Sequence, residues 1–349
     1  MSSAGHLGQQ SNGTNFFRCH SRCCIFKANV PRLPSSDPQF SSQPGFLKPT
    51  EEITREMVES TSNSICPLSE LIIFSINDGH YFMGCDASIL LDSVGNRNII
   101  SEMVSDRNFG IRKRSSIQRI KEVVESECPG KVSCADLIIM AASKSVAVSG
   151  GPLIRIPLGR KDSTTANNLL ADHFLPRGSI SIEELINIFS PMGMTLEEAA
   201  LTVPPHLLTH ALIVCYAGSH SLGAGHCVNI VDRLYEPKED DFMSNTFNLY
   251  LRFLCPDKMP LTNLTALPND LTPILFDNQY FRDILAGRGP FTIDSRIASD
   301  QRTSSIVAAF ANDQAFFLQT FSSAFSKLST NGVLTGNNGE VRRKCNQTN

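Results

Sequence analysis

The sequence predicts a mainly α chain with very little strand. Apolar residues recur at three- and four-residue spacing along several segments. Two helix-opening signatures, Ser181 with Glu184 and Thr195 with Glu198, stand directly before such spacing. Strand signals are few: Ile154 to Leu158 is short, and Leu212 to Tyr216 is ambiguous.

The elements follow in order. Residues 1–45 are rich in Ser, Pro, Gly and Gln and read as disordered. Ile117, Ile120 and Val124 mark one face of a helix that Cys128-Pro129-Gly130 ends. Ser133 with Asp136 opens the next, which runs through Leu137, Met140 and Ala141 and stops before Gly150-Gly151-Pro152. Near the end, Phe310, Phe317, Phe321 and Leu328 line one face of a single long helix. No internal repeat is present.

Composition narrows the function classes. The chain of 349 residues is 41% hydrophobic and 19% charged, which is globular. A net charge of −3 leaves no basic footprint for nucleic acid or an acidic membrane surface. No run of 18 apolar residues exists to span a membrane. Phe is plentiful at 21 and Trp is absent, and neither count points to a function. The 11 cysteines, spread along the chain, read mostly as disulfide partners in an oxidising compartment. Asn12, Asn263 and Asn346 lie in Asn-X-Thr sequons, which agrees with secretion. Met1 to Val30 has no apolar core and does not read as a signal peptide. Cys19, His20, Cys23 and Cys24 offer metal ligands, but no second pair follows at finger spacing.

The chemistry concentrates in Gly218 to Cys227, Gly-Ser-His-Ser-Leu-Gly-Ala-Gly-His-Cys, which leads into an expected helix. Small neighbours let a flat, bulky group approach the backbone, and His220 offers an imidazole to a haem iron. Two other readings compete. Ser221 stands in a sequence like a nucleophile elbow, but Ser219 replaces its first glycine and only His226 follows as a base. Zinc could use His206 and His210 with His220 or His226, but the His-Glu-X-X-His pattern is absent. Taken alone, the segment favours a satisfied, buried structural histidine.

Other segments decide. Gly84-Cys85-Asp86-Ala87-Ser88-Ile89-Leu90-Leu91-Asp92, Val132 to Asp136, Gly150-Gly151-Pro152 with Pro157 to Asp162, Gly218 to Cys227, and Phe276 to Tyr280 occur in that order. Together they closely resemble the secretory plant haem peroxidases (class III), from about residue 46 to 349. The resemblance implies a haem-peroxidase fold: a distal helical domain over 46–160 and a proximal one over 161–349, with one haem b between them. It implies oxidation of small phenolic donors by hydrogen peroxide, in a secreted monomer. His220 is then the iron ligand, and Asp294 the acceptor behind its other ring nitrogen. Two calcium ions are implied. Ser221, Thr272, Asp277 and Asp270 match the proximal site, with Asn269 an alternative to Asp270 and a carbonyl of Ile274 or Leu275 contributing. Asp86 and Ser88 match the distal site, with the carbonyls of Phe82 and Gly84. Pro176 matches the rim of the substrate channel. Glu102 matches an acid that orders the distal hydrogen bonds. Cys134–Cys345 and Cys227–Cys255 are the implied disulfides.

The chain departs from that family on the distal side. The family carries Arg-X-X-X-His-Asp-Cys ahead of Gly-Cys-Asp. The histidine takes and returns the peroxide proton, and the arginine stabilises charge as the O–O bond breaks. Counting back from Gly84, Phe74 stands for the arginine, Asp78 for the histidine, Gly79 for the aspartate and His80 for the cysteine. The last change removes the cysteine that pairs with Cys85 in the family pattern. Leu47 stands where the first family cysteine falls, which removes the family partner of Cys128. Asp78 is too acidic for a good base, and His80 lies about 200° round a helix from that position. Val203 to Ala217 is an apparent insert before His220. These departures stop abruptly at Gly84 and Gly218, as a wrongly spliced message would make them. The expectation is a haem pocket with weak or absent peroxide turnover, and the alternative is an inactive haem-binding or structural member.

Overall fold

The computed structural model describes residues 85–169 (except 96–98, 106, 107, 109, 110, 112 and 113), 172, 178–189, 217–237, 241–256 and 265–349. The expectations for residues 1–45, Phe74, Asp78, Phe82, Gly84, Pro176, the Thr195–Glu198 box and positions 203–216 lie outside these.

The chain is mainly helical. Helix α1, Arg114–Glu127, buries Ile117, Ile120 and Val124, the face its spacing predicts. Helix α2, Cys134–Val148, starts where the Ser133 hydroxyl accepts the Asp136 N–H at 3.0 Å. Its residues are buried nearly all round, so it forms the inside of the fold rather than a face of it. Helix α3, Ile182–Phe189, opens with the expected box: Ser181 Oγ accepts Glu184 N–H, and Glu184 Oε2 accepts Ser181 N–H.

Two helix expectations are corrected. No helix follows His220 directly. Strand β1, Ala224–His226, pairs antiparallel with β2, Ala266–Pro268, and helix α4, Val231–Tyr235, begins only afterwards. Gly223 has φ 105°, a conformation that ends a helical turn and costs other residues strain. Its N–H and C=O bond to Pro273 and Asn269, outside any helix. Ile154 to Leu158 forms no strand.

The second correction is at the C-terminus. Helices α5, Asn245–Leu254, α6, Gln279–Leu285, and α7, Thr292–Ser299, precede it. The single long helix is then two: α8, Ser304–Asn312, and α9, Gln314–Leu328. Asp313 between them is extended, and its carboxylate accepts the Phe316 N–H to cap α9. The apolar face still runs across the break, because Phe310 and Phe317 meet at 5.6 Å. This face is the centre of an aromatic core. Phe281 meets Phe310 and Phe317 edge-on, and Phe276 meets Phe317 and Phe321. The abundance of Phe is used here in packing.

Both implied disulfides form, Cys134–Cys345 and Cys227–Cys255. Cys128, for which the sequence offers no clear partner, is disulfide-bonded. No helix among the described residues is long and apolar enough to cross a membrane.

Candidate functional site

His220 sits in a single 3₁₀ turn, Ser219–Ser221, just ahead of β1. Its Nδ1 is buried and lies 3.6 Å from Asp294 Oδ1, with no hydrogen bond of its own. The side chain is 22% exposed, so the accessible part of the ring is away from Nδ1. Phe291 and Tyr280 hold the ring, with centroids at 4.9 and 5.7 Å. An imidazole clamped this way offers its other nitrogen outward.

Asp294 lies in the first turn of α7 and is wholly buried. Its Oδ2 accepts the Phe291 N–H at 2.7 Å, and its Oδ1 accepts the Tyr280 hydroxyl at 2.6 Å. Burial, and then the charge of Asp294, pushes the Tyr280 phenol well above its usual pKa, so it stays protonated and donates. Gly289 makes room for the carboxylate: a Cβ there would stand 2.5 Å from that of Asp294. Arg233 fixes this loop, donating to the Gly289 carbonyl while paired with Asp241.

Two of the small residues near His220 make room for the core. A Cβ on Gly218 would meet Phe317 at 2.6 Å, and one on Gly225 would meet Phe291 at 2.6 Å. At these two positions the absent side chain admits phenylalanine rings of the core.

An oxygen cluster lies directly behind this turn. Ser221 Oγ donates to the Asp277 carbonyl and accepts the Asp277 N–H. Thr272 Oγ1 donates to Asp277 Oδ1, and Asp270 Oδ1 accepts the Thr272 N–H. Asp270 Oδ2 and Asn269 Oδ1 are buried with no partner. Burial pushes the Asp270 carboxyl up to about 7, and the charges of Asp277 and Asp283 add to this. Buried acceptors without donors, beside a second carboxylate, suit a hard cation. Among the described residues, no trio of His, Cys, Asp or Glu is placed to hold a metal, so the set here is hydroxyl, carbonyl and carboxylate together. Ser221 is buried with its hydroxyl engaged by main chain, an arrangement that opposes a nucleophile.

Asp86 and Ser88 share one tight loop. Asp86 Oδ1 accepts the Ser88 N–H, and Ala87 between them has φ 57°. Ser88 Oγ is buried without a partner. Arg342, from the C-terminal tail, donates to the Ala87 carbonyl and locks the loop. Glu102 is wholly buried, and its Oε1 accepts the Asn167 N–H.

Comparison with known proteins decides the family. The peroxidase family model matches residues 53–313. The chain belongs to the peroxidase family. Among its relatives, "Peroxidase 29" of Arabidopsis thaliana is 42% identical over 269 residues, 76% of this chain and 75% of that protein. "Peroxidase 42" of the same plant is 37% identical, covering 76% of each chain. A "Basic peroxidase" of Zinnia elegans is 35% identical over 83% of this chain and 84% of its own.

Within this peroxidase-family chain, sequence reasoning missed Tyr280, Phe291, Gly289 and Arg233. Tyr280 falls in the Phe276 to Tyr280 segment, which signals the family but not the tyrosine's bond to a carboxylate fourteen positions on. Gly289 stands in a Gly-Arg-Gly-Pro stretch that reads only as a turn.

Proposed function

We propose that this chain binds haem through His220 and is a secreted, monomeric peroxidase by descent. Its family reaction is the oxidation of phenolic donors by hydrogen peroxide. Its own turnover is crippled at positions 74 and 78. The observation that carries haem binding is the buried Nδ1 of His220 facing the buried carboxylate of Asp294. A histidine held by a carboxylate on one nitrogen is oriented to ligate a metal with the other. Haem, when bound, supplies the iron at which peroxide is reduced while donors lose single electrons.

The residues of this chain have separable tasks. Asp294 fixes the tautomer of His220, placing the proton on Nδ1. Ser221, Asp270, Thr272 and Asp277 would hold the proximal calcium, tying the turn that carries His220 to the loop before α6. Phe82, Gly84, Asp86 and Ser88 would hold the distal one; the unpartnered Ser88 hydroxyl fits a cation ligand. Glu102 would order the distal hydrogen bonds, and Pro176 would line the channel rim. Phe74 and Asp78 supply neither a base matched to peroxide nor a cation for the breaking O–O bond. Losing both lowers turnover at least about a hundredfold. That pair also favours the second reading, an inactive haem-binding protein.

The test is haem reconstitution of the refolded chain, followed by absorbance and phenol oxidation with and without peroxide. A Soret band with slow oxidation is expected, and Phe74→Arg with Asp78→His should accelerate it. No Soret band overturns the haem reading; family-like rates in the unaltered chain overturn the distal argument. A Soret band with no oxidation in either protein favours the second reading.

A further inference from the structure

The carboxylate oxygen behind His220 is shared. Asp294 Oδ1 lies 3.6 Å from His220 Nδ1 and accepts the Tyr280 hydroxyl at 2.6 Å. The other oxygen is committed to the Phe291 N–H at 2.7 Å. Asp294 and Tyr280 are both wholly buried, so bulk water does not complete either set of bonds. The His220 ring stands edge-on to Tyr280, and the three groups form one packed unit. A phenol-to-carboxylate bond of this length is charge-assisted and draws electron density from the accepting oxygen. The same oxygen therefore attracts the imidazole N–H less strongly, which fits the longer distance to Nδ1.

We propose that Tyr280 is a positioning residue that competes with His220 Nδ1 for Asp294 Oδ1, holds the two short of a hydrogen bond, and thereby limits how electron-rich His220 is as an iron ligand. The role in iron ligation rests on the haem reading above; the competition for Asp294 Oδ1 does not. Without the hydroxyl, Oδ1 is a buried acceptor facing one remaining donor, His220 Nδ1–H. Leaving it unsatisfied is costly, so the carboxylate closes the gap to the imidazole. A stronger bond makes the imidazole more anionic, which favours ferric over ferrous iron.

Tyr280→Phe tests this, since it keeps the buried ring and removes only the oxygen. In the haem-free chain, the His220 Nδ1 proton should move downfield in ¹H–¹⁵N NMR and exchange more slowly with water. In the haem-loaded chain, the ferrous iron–histidine stretch should rise in frequency and the ferric/ferrous midpoint should become more negative. In an Asp294→Asn background, Tyr280→Phe should shift none of these, because the route runs through the carboxylate. An unmoved Nδ1 proton overturns the proposal, and so does an equal effect with and without Asp294. A chain that takes up no haem yet shows the Nδ1 shift supports the competition and overturns the haem reading alone.

Discussion

Asp270→Asn should change how the calcium-free protein responds to pH. Burial pushes the Asp270 carboxyl up to about 7 from its ordinary 3.8, helped by Asp277 and Asp283. Between those two values the folded chain holds a proton that the unfolded chain has released. Stability is therefore present at the acid end and is lost as pH rises toward the folded pKa. The gap of about 3 units, at about 1.36 kcal/mol per unit, sets an upper bound of about 4 kcal/mol. Calcium removes the effect, because a bound cation favours the ionised carboxylate. The assay is urea unfolding in chelator at about pH 5 and about pH 8, on both proteins. Taking the difference isolates Asp270. Asp162, whose carboxyl is also raised by burial, contributes alike to both. Between the two pH values, which cover about 2 of those 3 units, the unaltered chain should lose about 2–3 kcal/mol more than Asp270→Asn, and calcium should restore it. Equal pH slopes in the two proteins would refute the reasoning, as would a smaller loss in the unaltered chain.

Three further outcomes are expected. Gly289→Ala should cost about 1–3 kcal/mol in urea unfolding, because its Cβ displaces Asp294, and it should weaken haem uptake. Cys134→Ser with Cys345→Ser should lower stability by about 2–4 kcal/mol, measured the same way, by freeing a crosslink that spans 211 residues. Asp162→Asn should cost about 3–5 kcal/mol. It leaves the buried Arg342 without its counter-charge and weakens the acceptor for the Cys134, Ala135 and Arg342 N–H groups.

Much of the helical fold was legible because it rests on local rules. The α1 face and the caps at Ser133 and Ser181 need only neighbours three or four residues away. The break at Asp313 was not legible, since Phe310 and Phe317 keep one apolar face on both sides of it. Spacing records burial, and here two helices bury a continuous face. The strand after His220 was missed for a related reason. Its partner, β2, lies about forty residues on, and no alternating pattern marks a three-residue strand. At the site, His220 was visible from its own segment and Asp294 only through resemblance to a family. Sequence shows that small residues leave space near His220 but not what fills it; at Gly218 and Gly225 it is Phe317 and Phe291.

On the proposed reading, haem binding and turnover rest on separate residues of this chain. The hydrogen bonds to Asp294 come from Tyr280 and Phe291, and the space beside it from Gly289. Arg233 braces that loop through the Gly289 carbonyl. The turn carrying His220 is held through Ser221 by the main chain of Asp277. These residues all lie beyond position 217, whereas the departures at Phe74 and Asp78 lie far before it. On the proposed reading a proton acceptor and a cation are wanting at 74 and 78, while the contacts named here are made by residues beyond 217. Iron ligation should survive such changes, and restoring the two residues should act on rate while leaving the His220–Asp294 spectroscopic signature unchanged. If Phe74→Arg with Asp78→His instead shifts the iron–histidine stretch, the two halves are coupled and the separation argued from these contacts is wrong.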